Sequence, residues 1–256
     1  MKQTAYPILL LLALFWHGIL FSQLVNIESR RMQTDSLHFV LKADLLFSYS
    51  DNDGSYLLQV GSGLATQWKS KDYQSIIYLI GNLNLARTRA EDFQNSWFFH
   101  LRYNRKLSDL VRLEGFVQSQ HNELLSINSR NLLGAGIRLK FISTPDVKAY
   151  FGNSYMYEIE ESDAFGLKRY NHRNNSYLSL SVSLAEGKLD LTNTVYYQPL
   201  YSNFGNYRIL QQLKVEVPIT QKLKFSGLFN YFLNSLTPDG DSEYSSSLSM
   251  GITFEI

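Results

Sequence analysis

The chain has 256 residues, of which 45% are hydrophobic and 14% aromatic, with 24 basic and 23 acidic side chains. This balance of charge argues against a nucleic-acid partner, because binding phosphate requires a basic surface. The chain has no cysteine, which excludes disulfides and thiolate metal sites.

Residues 1–22 have the features of a secretory signal peptide. Lys2 precedes a mostly apolar run over 8–20, and Ser22 is a small residue suited to the cleavage site. The run is shorter than the ~20 apolar residues of a spanning helix, although an uncleaved anchor is the alternative. We therefore expect a signal peptide at 1–22, a periplasmic segment at 23–36 and one domain at 37–256.

The rest of the chain alternates apolar and polar residues with period two, which is typical of β-strands. In the last segment Leu248, Met250 and Ile252 share one face, opposite Ser247 and Ser249. Strands of this length suit a tilted crossing of a bilayer. The pattern predicts strands at 37–50, 55–68, 73–87, 96–106, 111–123, 131–142, 147–160, 175–185, 189–200, 206–219, 223–234 and 244–256.

The connections between these strands alternate in length. Every second one is predicted to be tight: 69–72, 107–110, 143–146, 185–188 and 220–222. Those between them are mostly longer, with the longest at 161–174. Short periplasmic turns and longer external loops are typical of outer-membrane barrels. The sequence therefore predicts an all-β fold, an antiparallel transmembrane β-barrel of about 12 strands. A soluble periplasmic barrel or sandwich is the alternative, with its apolar faces packed against each other.

Several segments resemble an outer-membrane barrel family known as domain of unknown function 481, or salt-induced outer membrane protein. They are His100-Leu-Arg-Tyr-Asn104, Asn131-Leu-Leu-Gly-Ala-Gly136, Tyr155-Met-Tyr-Glu-Ile-Glu160, Ser176-Tyr-Leu-Ser-Leu180 and Val195-Tyr-Tyr-Gln-Pro199. Val25-Asn-Ile-Glu-Ser29 and Tyr207-Arg-Ile209 are similar to Bacteroidota-type members. The resemblance implies a monomeric barrel in the bacterial outer membrane, with no assigned reaction.

A hydrolase that modifies lipid, such as a lipase or lipid A deacylase, would need a serine, a histidine base and an orienting group near the lipid-facing rim. Ser119 and His121 are the best such pair, because they share a face near one end of a strand. No oxyanion feature accompanies them. A catalytic role is therefore the less favoured interpretation.

No cofactor is predicted, and no metal site. Asp163 follows Glu158, Glu160 and Glu161, and this acidic group could bind a divalent cation through oxygen ligands. The favoured interpretation is a solvated rim whose countercharges are Lys168, Arg169 and Arg173.

The inward faces of the predicted strands carry charges of both signs. A charge on the lipid face costs about 2–4 kcal/mol near the bilayer midplane, so these side chains should line the lumen. They are Arg102, Arg112, Glu114, Arg138, Lys140, Glu158, Glu160, Lys214, Glu216 and Lys224. The residues Lys148, Asp190 and Arg208 share this inward parity. The lumen is either a stabilising plug of ion pairs or a narrow, charge-selective passage. We expect the partners to be outer-membrane lipid and, during biogenesis, the barrel-insertion machinery.

Overall fold

The computed structural model describes residues 37–52, 55–88, 94–123, 127–162, 167–236 and 242–256. The predicted signal peptide and periplasmic segment lie outside the described residues. Within those ranges, no helix is long and apolar enough to cross a membrane.

Twelve antiparallel strands form one closed barrel in which each strand pairs with its neighbours in the chain, and the first pairs with the last. The fold prediction of about 12 strands is confirmed. The strands are β1 Phe39–Asn52, β2 Ser55–Lys69, β3 Ser75–Thr88, β4 Gln94–Lys106, β5 Val111–Asn122, β6 Ile127–Ser143, β7 Val147–Ser162, β8 Leu167–Leu184, β9 Leu189–Leu200, β10 Asn203–Pro218, β11 Leu223–Asn234 and β12 Glu243–Glu255.

Closure depends on the pairing of β1 with β12, in which Lys42 lies opposite Glu255 and Phe47 opposite Met250. A closed sheet has no edge strand, so the backbone groups of every strand can be hydrogen-bonded within the barrel. This is the condition for placing a sheet in hydrocarbon.

The outer face of the barrel is apolar and the inner face is polar. Leu83, Leu133 and Leu248 are exposed, each by more than half of its surface, while neighbours such as Asn82 and Ser247 are buried. This is the reverse of the soluble alternative, which required leucines packed inward. An apolar outer face around a polar interior is the pattern of barrels that span a lipid bilayer.

The five predicted tight turns all lie at one end of the barrel, here called the turn end; the opposite end is the loop end. At the turn end, Asp72 accepts hydrogen bonds from the Ser70 hydroxyl and, at 3.0 Å, from the Gln74 N–H. These bonds hold the pKa of Asp72 below its usual value. Tyr73 has a φ of 55° and belongs to this turn, so the predicted start of β3 at residue 73 is wrong.

The predicted long loop at 161–174 is also wrong. β7 continues to Ser162, and β8 begins at Leu167, with Glu161 opposite Lys168 and Glu158 opposite Asn171. Asn, His and Arg in this region were interpreted as loop residues because they are polar. A hairpin that extends past the bilayer can be polar on both faces and still keep its backbone pairing.

Candidate functional site: the charged interior

Alternation along each strand determines which side chains enter the barrel. Of the ten predicted lumen residues, six are buried and four are half-buried: Arg102, Glu114, Arg138, Glu158, Lys214 and Glu216, then Arg112, Lys140, Glu160 and Lys224. Lys148, Asp190 and Arg208 also point inward, as their parity predicted. Further inward charges, absent from the prediction, are Lys42, Asp44, Arg130, Arg173 and Glu255. Among these eighteen side chains the lysines and arginines outnumber the carboxylates, so the described lumen is basic although the chain is nearly neutral.

The first charge cluster lies toward the loop end and is centred on Glu158, which is fully buried. Its carboxylate lies 2.5 Å from Arg130 Nη2, 2.9 Å from Arg208 Nη1 and 3.2 Å from Arg173 Nε. The Asn171 amide also donates to it, at 2.8 Å. We call Glu158, Glu160 and these three arginines the Glu158 cluster.

The remaining members of the Glu158 cluster fix its geometry. Arg208 Nη2 lies 2.9 Å from Glu160 Oε2, so its guanidinium bridges two carboxylates. Arg173 also donates to the Gln198 carbonyl at 3.0 Å. Planar guanidinium groups suit such multiple contacts, and a buried carboxylate needs them to offset its desolvation.

A second cluster surrounds Glu114 on β5. The Tyr177 hydroxyl donates to Glu114 Oε2 at 2.8 Å, while Arg102 Nη1 lies 3.5 Å and Arg138 Nη1 3.7 Å from the carboxylate. The Arg138 guanidinium also lies over the Tyr150 ring, 3.8 Å from its centroid, in a cation–π contact. Tyr177 belongs to β8, so its side chain reaches across β7 and β6 to β5.

Two glycines make room for rings inside the barrel. A Cβ at Gly152 would lie 2.1 Å from the Tyr177 ring, and one at Gly134 would lie 2.2 Å from the Phe116 ring. Both rings therefore lie directly on the bare backbone of a neighbouring strand. Each glycine therefore lets a bulky ring pack closely against the inner wall of the barrel.

A small cavity lies in the lumen between the Glu158 and Glu114 clusters. The cavity there measures about 30 Å³ and is lined by Arg102, Phe116, Gln118, Arg130, Leu132, Met156, Asn175, Tyr196, Gln198 and Leu210. This volume is about that of one water in the liquid. Phe116, Leu132 and Met156 pack against one another as a buried apolar cluster. In this structure the middle of the barrel is closed by its own side chains.

The turn end is more open and is lined by lysines. Glu255 Oε2 lies 3.1 Å from both Lys42 Nζ and Lys224 Nζ, and Lys214 Nζ lies 3.0 Å from Glu216 Oε1. We call these five residues the Glu255 cluster. Most of them border a cavity of about 250 Å³, whose wall also includes Ser181, Ser183 and Thr192.

The structure also shows which functional residues the sequence analysis missed. Arg130 and Arg173 were predicted to lie at the edge of a loop or inside one, yet both are buried within the Glu158 cluster. A signal was present: Arg130 keeps the inward parity of Leu132 and Gly134, and Arg173 that of Asn175 and Tyr177. Extending each alternation toward the loop end would have placed both arginines in the lumen.

The structure does not bring Ser119 and His121 together as a nucleophile and base. Ser119 donates to Asn131 Oδ1 at 2.7 Å, and His121 Nδ1 donates to the Asn128 carbonyl at 2.7 Å. His121 Nε2 lies 3.6 Å from Glu123. Both groups therefore have other partners in this structure.

The structure does not bring together the acidic residues that were considered as a cation site. Glu158 and Glu160 are held by arginines, and Asp163 lies outside the described residues. In the part of the chain that is described, no three His, Asp or Glu side chains are arranged to hold a metal ion. Lys168, Arg169 and Arg173, predicted as loop countercharges, all lie on β8.

Family and structural comparisons agree with the barrel. A family model described as "Protein of unknown function, DUF481" matches residues 59–256, so the chain belongs to this family. The fold of this chain is that of the outer-membrane β-barrels, as the alignment with the NanC porin below shows. No curated protein matches the sequence.

Three solved structures illustrate the likeness. The NanC porin aligns with a TM-score of 0.53 at 11% identity, covering 84% of this chain and all of the porin. LpxR from Salmonella typhimurium gives 0.48 at 9% identity, over 84% of this chain and 99% of LpxR. The KdgM porin gives 0.47 at 10%, over 84% and 98%. At such identities the likeness to NanC shows the fold alone.

Proposed function

We propose that the protein lies in the bacterial outer membrane and forms a narrow passage for small anions, closed at its middle in the conformation described. The excess of inward lysines and arginines carries the proposal of an anion passage, and the central cavity of about 30 Å³ is too small for an open, water-filled pore. The apolar outer face supports the location.

Selectivity for anions follows from the excess of inward lysines and arginines. Inside a barrel with low-dielectric walls, an excess of one charge sign raises the local concentration of the opposite ion. Arg102 and Arg130 border the closed middle directly, so an ion that passes must meet them. The wider turn end would admit a hydrated ion before it reaches this point.

A role as a lipid-modifying hydrolase is the alternative, and it receives less support. It would need the Ser119 hydroxyl to transfer its proton to His121, whereas that hydroxyl donates to Asn131. A passage for anions, in contrast, requires no change in the hydrogen bonds of Ser119 and His121.

Conductance in planar bilayers tests the passage. We expect the wild-type barrel to show small, infrequent steps. Replacing both Phe116 and Met156 by Ala removes bulk from the closed middle and should raise the step size several-fold. Val117→Ala is the matched control, because Val117 lies beside Phe116 but is exposed on the outer face. A salt gradient then gives the sign of the selectivity.

Three outcomes would contradict the proposal. A wild-type conductance like that of an open porin would show that the middle is not closed. A cation preference would refute the role of the lumen arginines. A widened variant that is correctly folded, with heat-modifiable migration on a gel, and yet silent would show that the interior is only a stabilising plug.

A further inference from the structure

The inner wall of β4, β5 and β6 carries a row of positive charges near the turn end. The register places Lys106 on β4 opposite Arg112 on β5, and Arg112 opposite Arg138 on β6. Lys140 follows two residues after Arg138 and also faces inward. We call these four residues the Arg112 cluster. Like charges directly opposite each other on neighbouring strands are destabilising, so this row lowers the stability of the barrel unless anions compensate it.

Two of the four cations have a carboxylate of the chain as partner. Lys106 Nζ lies 2.5 Å from Asp109, an exposed residue of the adjoining turn. Arg138 Nη1 lies 3.7 Å from Glu114, whose carboxylate also accepts the hydrogen bond from Tyr177. The four cations of the cluster therefore meet two carboxylates, and both carboxylates are already engaged.

Arg112 and Lys140 are the cations that these carboxylates do not serve. Among the described residues, neither side chain forms a hydrogen bond or an ion pair, and Arg112 Nη1 is buried without an acceptor. Lys106 lowers the pKa of Asp109 by its hydrogen bond and its charge, and Lys140 adds a smaller effect, so Lys140 lies near the same turn. Burying a guanidinium N–H without an acceptor costs free energy, and an anion from solution would offset that cost.

We propose that the Arg112 cluster binds a dianion that carries a phosphate group. The two cations without a carboxylate set the charge of the ligand. The Arg112 guanidinium offers paired N–H donors that fit two phosphate oxygens, and Lys140, on the adjacent strand, can meet a third. The cluster faces the lumen, so the ligand is a water-soluble solute and not a lipid headgroup. The inference rests on the proposed passage and names the class of anion that it takes.

The Arg112 cluster lies between the open turn end and the closed middle. Lys148, which borders the cavity of about 250 Å³, pairs with Ser143, three residues beyond Lys140 on β6. Phe116, which borders the closed middle, lies four residues beyond Arg112 on β5. An anion that enters from the turn end therefore reaches the cluster before the closed middle, and the low-dielectric wall strengthens its attraction to the cations.

Isothermal titration calorimetry of the purified full-length barrel in detergent tests this site. The probe is inorganic phosphate at about pH 8, where it is a dianion, in a constant background of sodium chloride. We expect one phosphate to bind, and Arg112→Gln to weaken binding ~tenfold through the loss of charge-assisted hydrogen bonds. Arg105→Gln is the matched control, because it removes the same charge near the same end from the exposed face of β4, and it should bind as the wild type does.

Thermal unfolding separates a binding role from a structural one. Phosphate should raise the thermal midpoint of the wild type and not that of Arg112→Gln, because a ligand that binds only the folded state stabilises it. Without phosphate, Arg112→Gln should be at least as stable as the wild type, since it removes a like charge opposite Lys106 and Arg138. A less stable variant would show that Arg112 stabilises the barrel by itself, which would overturn the inference.

Two further results would count against the site. Equal phosphate affinity in the wild type and Arg112→Gln would show that the cluster is not where phosphate binds. Tighter binding of succinate, a dicarboxylate, would overturn the assigned class of anion. These measurements do not depend on conductance: a barrel that binds phosphate and conducts no ions would refute the passage alone, and one that conducts anions without binding phosphate would refute this inference alone.

Discussion

The two ends of the lumen handle buried charge differently. The Glu158 cluster uses arginines around a carboxylate that has no exposed surface. The Glu255 cluster uses lysines, and the Glu255 side chain retains 19% of its exposure beside the open cavity.

This difference shows which environment suits arginine and which suits lysine. A dry carboxylate needs several donors in fixed directions, which a planar guanidinium supplies; a lysine can keep part of its hydration where water enters. We therefore expect the loop end to be the rigid part of the interior and the turn end to tolerate change. The following predictions test this comparison, from the largest expected effect to the smallest.

Removing the central carboxylate of each cluster should separate the two ends most clearly. Glu158→Ala leaves three buried guanidinium groups without their shared anion, so we expect a loss of about 3–5 kcal/mol in the free energy of unfolding. Glu255→Ala, next to the cavity of about 250 Å³, should cost about 1 kcal/mol or less. Denaturant titration of the folded barrel in detergent measures both. Equal losses would refute the comparison.

Exchanging arginine for lysine at one end, and lysine for arginine at the other, should sharpen the comparison between the two ends. Arg208→Lys cannot keep both the Glu158 and the Glu160 contacts, and we expect it to cost about 1.5–3 kcal/mol, the range for hydrogen bonds to charged groups. Lys224→Arg has the 250 Å³ cavity beside it and should be nearly neutral in the same titration. If Lys224→Arg proves the more harmful, the difference in packing between the ends is not as described.

Adding a methyl group to the inner face of the barrel should lower its stability more than adding one to the outer face. Gly152→Ala would displace the Tyr177 ring and weaken its hydrogen bond to Glu114, for an expected loss of about 1–3 kcal/mol. Gly115→Ala is the control, because its nearest neighbour would be at 4.0 Å. Similar thermal stabilities of the two variants would show that the Tyr177 ring is not held against β7.

The smallest effect belongs to the exposed turn at 70–74. The pKa of Asp72 is lowered in the folded state, so its stabilising effect is present above the unfolded pKa, near 4, and is lost as the pH falls through the lower folded value. Asp72→Ala should therefore lower the thermal midpoint slightly at neutral pH, and the difference should vanish in acid. A difference that grows in acid would contradict the sign.

Much of the architecture could be predicted from single strands. The alternation of Leu133, Ala135 and Ile137 with Gly134, Gly136 and Arg138 was enough to assign both faces of β6, because the side-chain period of a strand is two. Four of the five tight turns were placed to within one residue for the same reason, since each interrupts an alternation, whereas the first extends two residues further than predicted. The leader stays a prediction.

The ends of β7 and β8 could not be predicted in this way. Beyond the bilayer an outward residue meets water, so Lys168 and His172 no longer differ in polarity from inward Asn171 and Arg173. A strand that is polar on both faces looks like a loop. Only the ladder between β7 and β8, with its pairs such as Glu161 and Lys168, shows that the hairpin continues.

By itself the sequence determined that this chain forms a barrel with an apolar outside and a charged inside, because that information is local and repeats every two residues. Which charges meet was decided by the tertiary structure. Arg208 reaches Glu158 across 50 positions of the chain, and Tyr177 reaches Glu114 across 63. Such contacts depend on barrel closure and on how far each side chain extends across the lumen, and neither is encoded in any one strand.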